Sequence, residues 1–383
     1  MKKIFFSLVA IAALAACSKS EIQYEQTGEI AFTPVAKTLT KSVAGYDYGT
    51  SDTYHKDGND GNFDGVFPTG VNLYVFANAQ DEKEGVLQNS WTSPYFKNAR
   101  FVHNSTKGTE NSQNSVPTTG AYAGDPTRYW PNVKTLKFVG YSDACNVSTL
   151  TKAPYVATDL STLTIEGYVQ DNTKTAEGAN DLMWFPVTKA YGKSEGEIPA
   201  QMKHACSWIT INVAGDDVTA TYTTGEGESK TTHTGWTLNS LVVKTIQHSG
   251  KVVCNATTAQ WTLSGEGADE EYYKPTTGTT FTEQYVKYEN TANNFIVLPQ
   301  EPTDLEVNYT YTSDATNNLT LTETNSVSLD YDAAGTAWQP GVHYIYNVKI
   351  TATEILIDPV VVEWTESVYD ADKDNEGNQP IEI

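Results

Sequence analysis

The sequence is short of positive charge and cysteine, and it has none of the long Ala/Leu/Glu/Lys-rich stretches that make helices. Across 383 residues there are 25 Lys+Arg against 47 Asp+Glu, a formal net charge of −22. A surface of that sign repels phosphate backbones and anionic lipid headgroups, which argues against a nucleic-acid partner. The excess acid reads as solubility in an exposed compartment. Of the four cysteines, Cys17 belongs to an N-terminal motif described below. The remaining three, Cys145, Cys206 and Cys254, form at most one bridge, leave one thiol free and match no zinc spacing. Beyond residue 16 no apolar run approaches the ~20 residues that span a bilayer.

Catalytic patterns are also missing from their proper context. Gly192-Lys-Ser194-Glu-Gly196 has the spacing of a nucleophile elbow, but that motif needs a strand before it and a helix after it. Here it lies in a hydrophilic stretch running into Ile198-Pro199, which reads as a solvated loop. The six histidines are scattered; His204 beside Cys206 reads as a packed residue rather than half of a dyad. No acidic pair stands out for glycoside hydrolysis. The nearest approach to a metal site is Asp60-Gly-Asn62-Phe-Asp64-Gly65, the first half of a calcium loop. Its twelfth position is Val71 rather than a bidentate Glu, and Pro68 forbids the following helix, so it is a weak calcium candidate and otherwise a polar loop. The expectation is a protein without cofactor or enzymatic activity.

What the sequence does contain begins at its first residues. Lys2 and Lys3 precede an apolar run from Ile4 to Ala16, which ends in Leu14-Ala-Ala-Cys17. A basic start, a short apolar segment and small residues before a cysteine define a signal peptide, residues 1–17, with a lipoprotein cleavage box. A lipid on Cys17 anchors the mature chain to a membrane without spanning it.

Aromatic residues make up 11% of the chain, with 23 Tyr, and threonine is abundant throughout, a β-sheet composition. Strand-like runs recur between polar turns: Ile30–Val35, Val71–Phe76, Leu136–Tyr141, Leu182–Pro186, Met202–Val213, Trp236–Ile246, Phe295–Leu298, Leu305–Tyr311 and Val342–Ile350. Pro34 suits an edge strand. The Ser/Thr/Asn/Gly tract from Asn104 to Gly124 reads as a surface excursion. Many short strands with hardly any helix point to antiparallel β-sandwiches, divided as residues 18–198 and 199–383. Trp130, Trp184, Trp208, Trp236, Trp338 and Trp364 lie in or beside these strands, where core packing is the commoner role. Exposed aromatics stacking on sugars would instead make a surface glycan-binding lipoprotein.

Several segments together resemble the fimbrillin-like lipoproteins of the type V pilus. They are the lipobox, Glu29-Ile-Ala-Phe-Thr33 with Thr40-Lys41, Tyr129-Trp-Pro131 leading into Leu136–Tyr141, Asp181-Leu-Met183, Met202-Lys-His-Ala205, Phe295–Gln300 and Trp338–Tyr346. The resemblance implies an all-β chain of two tandem transthyretin-like Greek-key β-sandwich domains, exported to the outer membrane and assembled into a surface fimbrium with other pilin subunits. It further implies that a protease removes an N-terminal strand and that a neighbouring subunit's C-terminal segment fills the groove. On this sequence the removable strand is Ile30 to Val35, with Ile30 and Phe32 pointing the same way, and cleavage follows Lys37 or Lys41. Best-known members are cut after arginine, whereas no arginine precedes Arg100 here, so a lysine-accepting protease is required or the subunit stays uncut as an anchor or tip. Candidate donor segments are Ile355–Trp364 and the tail Gln379–Ile383, separated by the acidic stretch Asp370–Gly377.

Overall fold

A computed structural model describes residues 28–36, 71–104, 121–142, 150, 152–170, 181–193, 198–215, 222–224, 231–280, 286–287, 295–313, 319–332, 336–350 and 355–363. Among these residues the regular structure is all β, with no α-helix. The first strands are β1 (Ala31–Ala36), β2 (Leu73–Ala79), β3 (Glu82–Lys83), β4 (Val86–Leu87), β5 (Ser93–Asn104) and β6 (Ala121–Gly124). Next come β7 (Leu136–Ser142), β8 (Tyr155–Val156), β9 (Leu163–Val169), β10 (Met183–Phe185), β11 (Ile198–His204) and β12 (Ser207–Gly215). They are followed by β13 (Tyr222–Thr224), β14 (Thr231–Ile246), β15 (Ser249–Cys254), β16 (Ala259–Ser264), β17 (Ala268–Tyr273) and β18 (Thr279–Thr280). The last six are β19 (Val286–Lys287), β20 (Phe295–Val297), β21 (Asp304–Ser313), β22 (Leu319–Ser328), β23 (Val342–Ile350) and β24 (Ile355–Glu363).

Seven strands close into a barrel in the order β1-β11-β10-β7-β2-β5-β6. The alternation of apolar residues along β2, β7 and β11 turns one face of each inward, and with Ile30, Phe32, Phe101, Tyr122 and Phe185 they fill a single core. Gly140 on β7 is required by close approach, because a Cβ there would run into the Phe185 ring and the Tyr74 carbonyl. The tract Asn104–Gly124 is not wholly an excursion. Its last residues form β6, and Tyr122 is 1% exposed inside the barrel.

The second unit is a sandwich. One sheet runs β19-β12-β23-β24, with β20 also on β12, and the other runs β13-β14-β21-β22. Their facing sides bury Ile209, Ile211, Leu238, Leu241, Val307, Trp338, Tyr344 and Tyr346. Strands β12 and β23 are parallel, from Trp208 opposite His343 to Gly215 opposite Ile350. The Trp208 and His343 rings stack at 3.6 Å, and His343 Nε2 lies 2.8 Å from Thr210 Oγ1.

The division at 198/199 falls on the first residue of β11, a strand that pairs with β1 and β10 inside the barrel. The alternating burial of Ile198–His204 places Ile198, Ala200 and Met202 in the first core. The halves are also stitched together. A four-stranded sheet, β16-β15-β9-β8, takes two strands from either side of that division, over a shared core that includes Trp184, Trp208, Val252 and Cys254. At the seam Trp261 Nε1 donates to the Ala205 carbonyl at 2.6 Å, Trp184 Nε1 to the Asn255 carbonyl at 3.1 Å and Lys203 Nζ to the Ala256 carbonyl at 2.6 Å.

On the outer face of this joining sheet, Glu166 of β9 accepts hydrogen bonds from Lys152 Nζ at 2.7 Å and Tyr155 OH at 2.6 Å, with Lys251 Nζ at 3.7 Å. The Lys152 and Tyr155 hydrogen bonds pull its carboxyl from 4.5 down to about 2. A carboxyl whose folded value is depressed stabilises fully above its unfolded value, and that contribution is lost as pH falls through the folded value. Glu166→Gln is therefore expected to flatten the dependence of the urea midpoint on pH between about 4.5 and about 2. An unchanged acid slope in the variant would contradict the assignment.

Candidate functional site

The strand that closes the barrel is also the first one described. β1 runs parallel to β11, with Phe32 opposite Ile198 and Ala36 opposite Met202, and antiparallel to β6, with Ala31 opposite Ala123 and Phe32 opposite Tyr122. Just ahead of it, Ile30 N donates to the Arg128 carbonyl at 2.8 Å and Trp130 N to the Gly28 carbonyl at 3.1 Å. Pro34 lies beyond the last β6 pair, where β1 has a neighbour on the β11 side only. The missing N–H is tolerated there, as at a sheet edge.

Parity then sets the chemistry of the lane. Ile30 and Phe32 are both 0% exposed. The Phe32 ring meets Phe101 edge-on at 4.8 Å, Phe138 edge-on at 5.2 Å and Phe185 at 5.7 Å. Tyr122, Ile198, Ala200 and Met202 belong to the same core. Val35 is aligned with Gln201. Without β1, the barrel would present an apolar groove flanked by unpaired backbone groups of β11 and β6, which is a template for another strand.

The sequence supplies Ile30 and Phe32 but not their seat. Phe138 belongs to a visible alternating run, whereas Phe101 lies just before, and Tyr122 within, a Ser/Thr/Asn-rich tract with no periodicity to announce them. Cys17, Lys37, Lys41, the calcium-loop residues Asp60, Asn62 and Asp64, Cys145, Ser194, Trp364 and the tail Gln379–Ile383 lie outside the described residues. Cys206 and Cys254 are buried and form no disulfide among the described residues, and burial pushes the Cys254 thiol upward. His204 is packed as expected, with a partner: its Nδ1 lies 2.8 Å from Asp181 Oδ2, both residues being buried.

Trp130, Trp184, Trp208 and Trp338 are at most 3% exposed, so they serve the cores and leave no flat face for a sugar ring. The side chain of Trp236 lies outside the described set. Tyr95 and Tyr155, 40% and 39% exposed, direct their hydroxyls to the Tyr129 carbonyl and to Glu166.

The architecture is all-β, with its first strand closing the barrel between β6 and β11. The family model described as fimbrillin-like matches residues 59–364, and the chain belongs to that family. Residues 1–18 match the prokaryotic membrane lipoprotein lipid attachment site, so the protein is an exported lipoprotein of the cell surface. No curated protein sequence matches the chain. Among solved structures, a fimbrial protein from Bacteroides vulgatus is 13% identical, with a TM-score of 0.54 over 88% of this chain and 100% of that one. A fimbrial assembly protein from Parabacteroides distasonis is 11% identical at a TM-score of 0.34, covering 88% of this chain and 96% of that one. The tip fimbrial protein Mfa3 from Porphyromonas gingivalis is 11% identical at a TM-score of 0.33, covering 76% and 94%. At such identities the Bacteroides vulgatus structure speaks for the fold alone.

Proposed function

We propose that this chain is a pilus subunit or adhesin, structural rather than catalytic, in which β1 is a removable strand and a strand of another chain takes its place. The observation that carries the reading is the position of β1: it closes the barrel, seats Ile30 and Phe32 in the core, and ends at Ala36, directly before Lys37. A protease acting after Lys37 or Lys41 would turn this strand from a tethered part of the chain into a separate peptide. Tethering holds a segment at an effective concentration in the ~mM range, and cutting removes that advantage. A neighbouring subunit's strand then satisfies both the groove and the unpaired backbone.

On this reading the lipid on Cys17 holds an uncut precursor at the outer membrane, and the partners are other pilin subunits. The two units are tandem transthyretin-like Greek-key domains, with the division moved from 198/199 to the Ala205-Cys206 link. The calcium candidate Asp60, Asn62 and Asp64 plays no part.

Replacing both lysines, Lys37→Gln with Lys41→Gln, is expected to leave the chain as lipidated precursor in membranes and to remove it from filaments sheared off the cell surface. Normal appearance of the double variant in sheared filaments would overturn the lysine assignment.

A further inference from the structure

One end of the barrel is unlike the rest of the molecule. Val133 and Val86 are the two most exposed large apolar side chains among the described residues, at 74% and 62%, and Leu87 beside Val86 is exposed as well. All three stand at the end where β2 finishes and β7 begins, Ala79 being opposite Leu136. There the Gln80 amide donates to the Thr135 carbonyl at 2.9 Å and Lys134 Nζ meets Glu82 Oε2 at 3.1 Å, which ties the β3–β4 hairpin to the 131–135 loop. The hairpin is braced at its base, where the Asp81 carboxylate accepts hydrogen bonds from the hydroxyls of Ser90, Thr92 and Ser93.

Charge at this end also departs from the average. In the segments that build it, residues 28–29, 80–92, 128–137 and 188–193, six Lys or Arg stand against four Asp or Glu, while the whole chain carries 25 against 47. Lys83 lies opposite Val86 in the hairpin, and Lys134 and Lys193 border an open groove between Pro131–Thr135 and Gly192. Exposed apolar side chains set among lysines suit a membrane interface, where the lysines meet anionic headgroups and the apolar groups meet the acyl boundary.

The chain enters the fold at the same place. The Gly28 carbonyl accepts from Trp130 N at 3.1 Å, directly before Pro131. Gly28 is 11 positions from Cys17, which lies within the lipid attachment match of residues 1–18. Eleven residues reach at most ~40 Å, so this end of the barrel is tethered close to the lipid. The acidic remainder of the chain is repelled by an anionic surface, which leaves this end to approach it.

We propose, building on the reading that the lipid on Cys17 holds the uncut chain at the membrane, that this end of the barrel lies against anionic lipid. Lys83, Lys134 and Lys193 meet the headgroups, and Val86, Leu87 and Val133 meet the acyl boundary. β1 then starts at the membrane and runs away from it, from Phe32 opposite Ile198 to Ala36 opposite Met202. Ala36, the residue before Lys37, therefore lies at the far end, on the side open to a soluble protease. Once a cut separates the body from its lipid, the patch alone is too weak to retain it, because stable anchoring takes two signals.

The test adds the lipidated, uncut chain to phosphatidylcholine vesicles with or without phosphatidylglycerol, acylates its lysines with a water-soluble reagent and reads each by mass spectrometry. Lys83, Lys134 and Lys193 are expected to react at least about threefold more slowly when phosphatidylglycerol is present. High salt should remove the difference, and Lys152 and Lys251 on the joining sheet should not change. Val86→Asp combined with Val133→Asp, at sites exposed enough to spare the fold, should abolish the protection. If the chain floats with the vesicles but all five lysines react alike, this end is not the membrane face, although the lipid anchor is real. If the chain does not float, the anchoring reading falls as well. Protection by inorganic phosphate without vesicles would mean an anion site, and protection that rises with the protein-to-lipid ratio would mean a second copy; either overturns the proposal.

Discussion

Phe32→Ala is expected to lower the unfolding free energy of the barrel by about 3–5 kcal/mol, among the largest effects of any single truncation in the chain. The ring is 0% exposed and touches three other aromatic rings, so truncation loses both the transfer of the ring from water and the edge-to-face contacts, and leaves a void the neighbouring rings cannot collapse into. By contrast Val86→Ala, at a residue 62% exposed in the β3–β4 hairpin, should change stability by no more than about 0.5 kcal/mol. Urea titration followed by near-ultraviolet circular dichroism compares the two. Equal small effects would mean that β1 is only loosely seated, and the case for it as the closing strand would fail.

The second large effect follows from cutting the chain rather than shortening a side chain. Limited digestion with a lysine-specific protease is expected to cut between Val35 and Gly45, leave the remainder folded, and convert a monomer into growing oligomers. Lys37 lies one residue past β1, and Lys41 follows four residues later. Cutting there spares the strands from β2 onward, whose pairings make up the rest of the barrel. Once residues 28–36 dissociate, the groove lined by Phe101, Tyr122, Phe138 and Phe185 is exposed, an apolar surface that stays monomeric only if something else covers it. Light scattering on the digest, with the Lys37→Gln, Lys41→Gln chain as control, gives the answer. A cut chain that remains monomeric would exclude a stalk role and restrict the protein to a tip or an anchor.

Much of the architecture is legible in the sequence because strands announce themselves by composition and parity. Val342–Ile350 alternates cleanly and forms β23. Its second face is nevertheless buried as well, His343, Ile345 and Asn347 being 8%, 4% and 7% exposed, so the alternation marks the strand without marking which face meets solvent. Ile30, Phe32 and Pro34 identify β1 and its inward side for the same reason. What stays hidden is pairing. β1 with β11, and β9 with β15, join residues far apart in the chain, and no local pattern encodes a partner that distant. Hence the sequence suggests two separate sandwiches, whereas the first unit closes into a barrel and a shared sheet joins the halves. β6 escapes notice because Tyr122 is the one large apolar side chain among the alanines and glycine of Ala121–Gly124.

The most direct test of the account is amide hydrogen exchange along the walls of the β1 lane, at those amides of Ile198–Met202 on β11 and of Tyr122 and Ala123 on β6 that point toward β1, in the uncut chain, the cut monomer freed of residues 28–36, and the oligomer. Protection is expected in the uncut chain, exchange faster by at least about tenfold in the cut monomer, and protection regained on assembly. Oligomers that form while these amides stay exposed, or protection untouched by removal of β1, would contradict it.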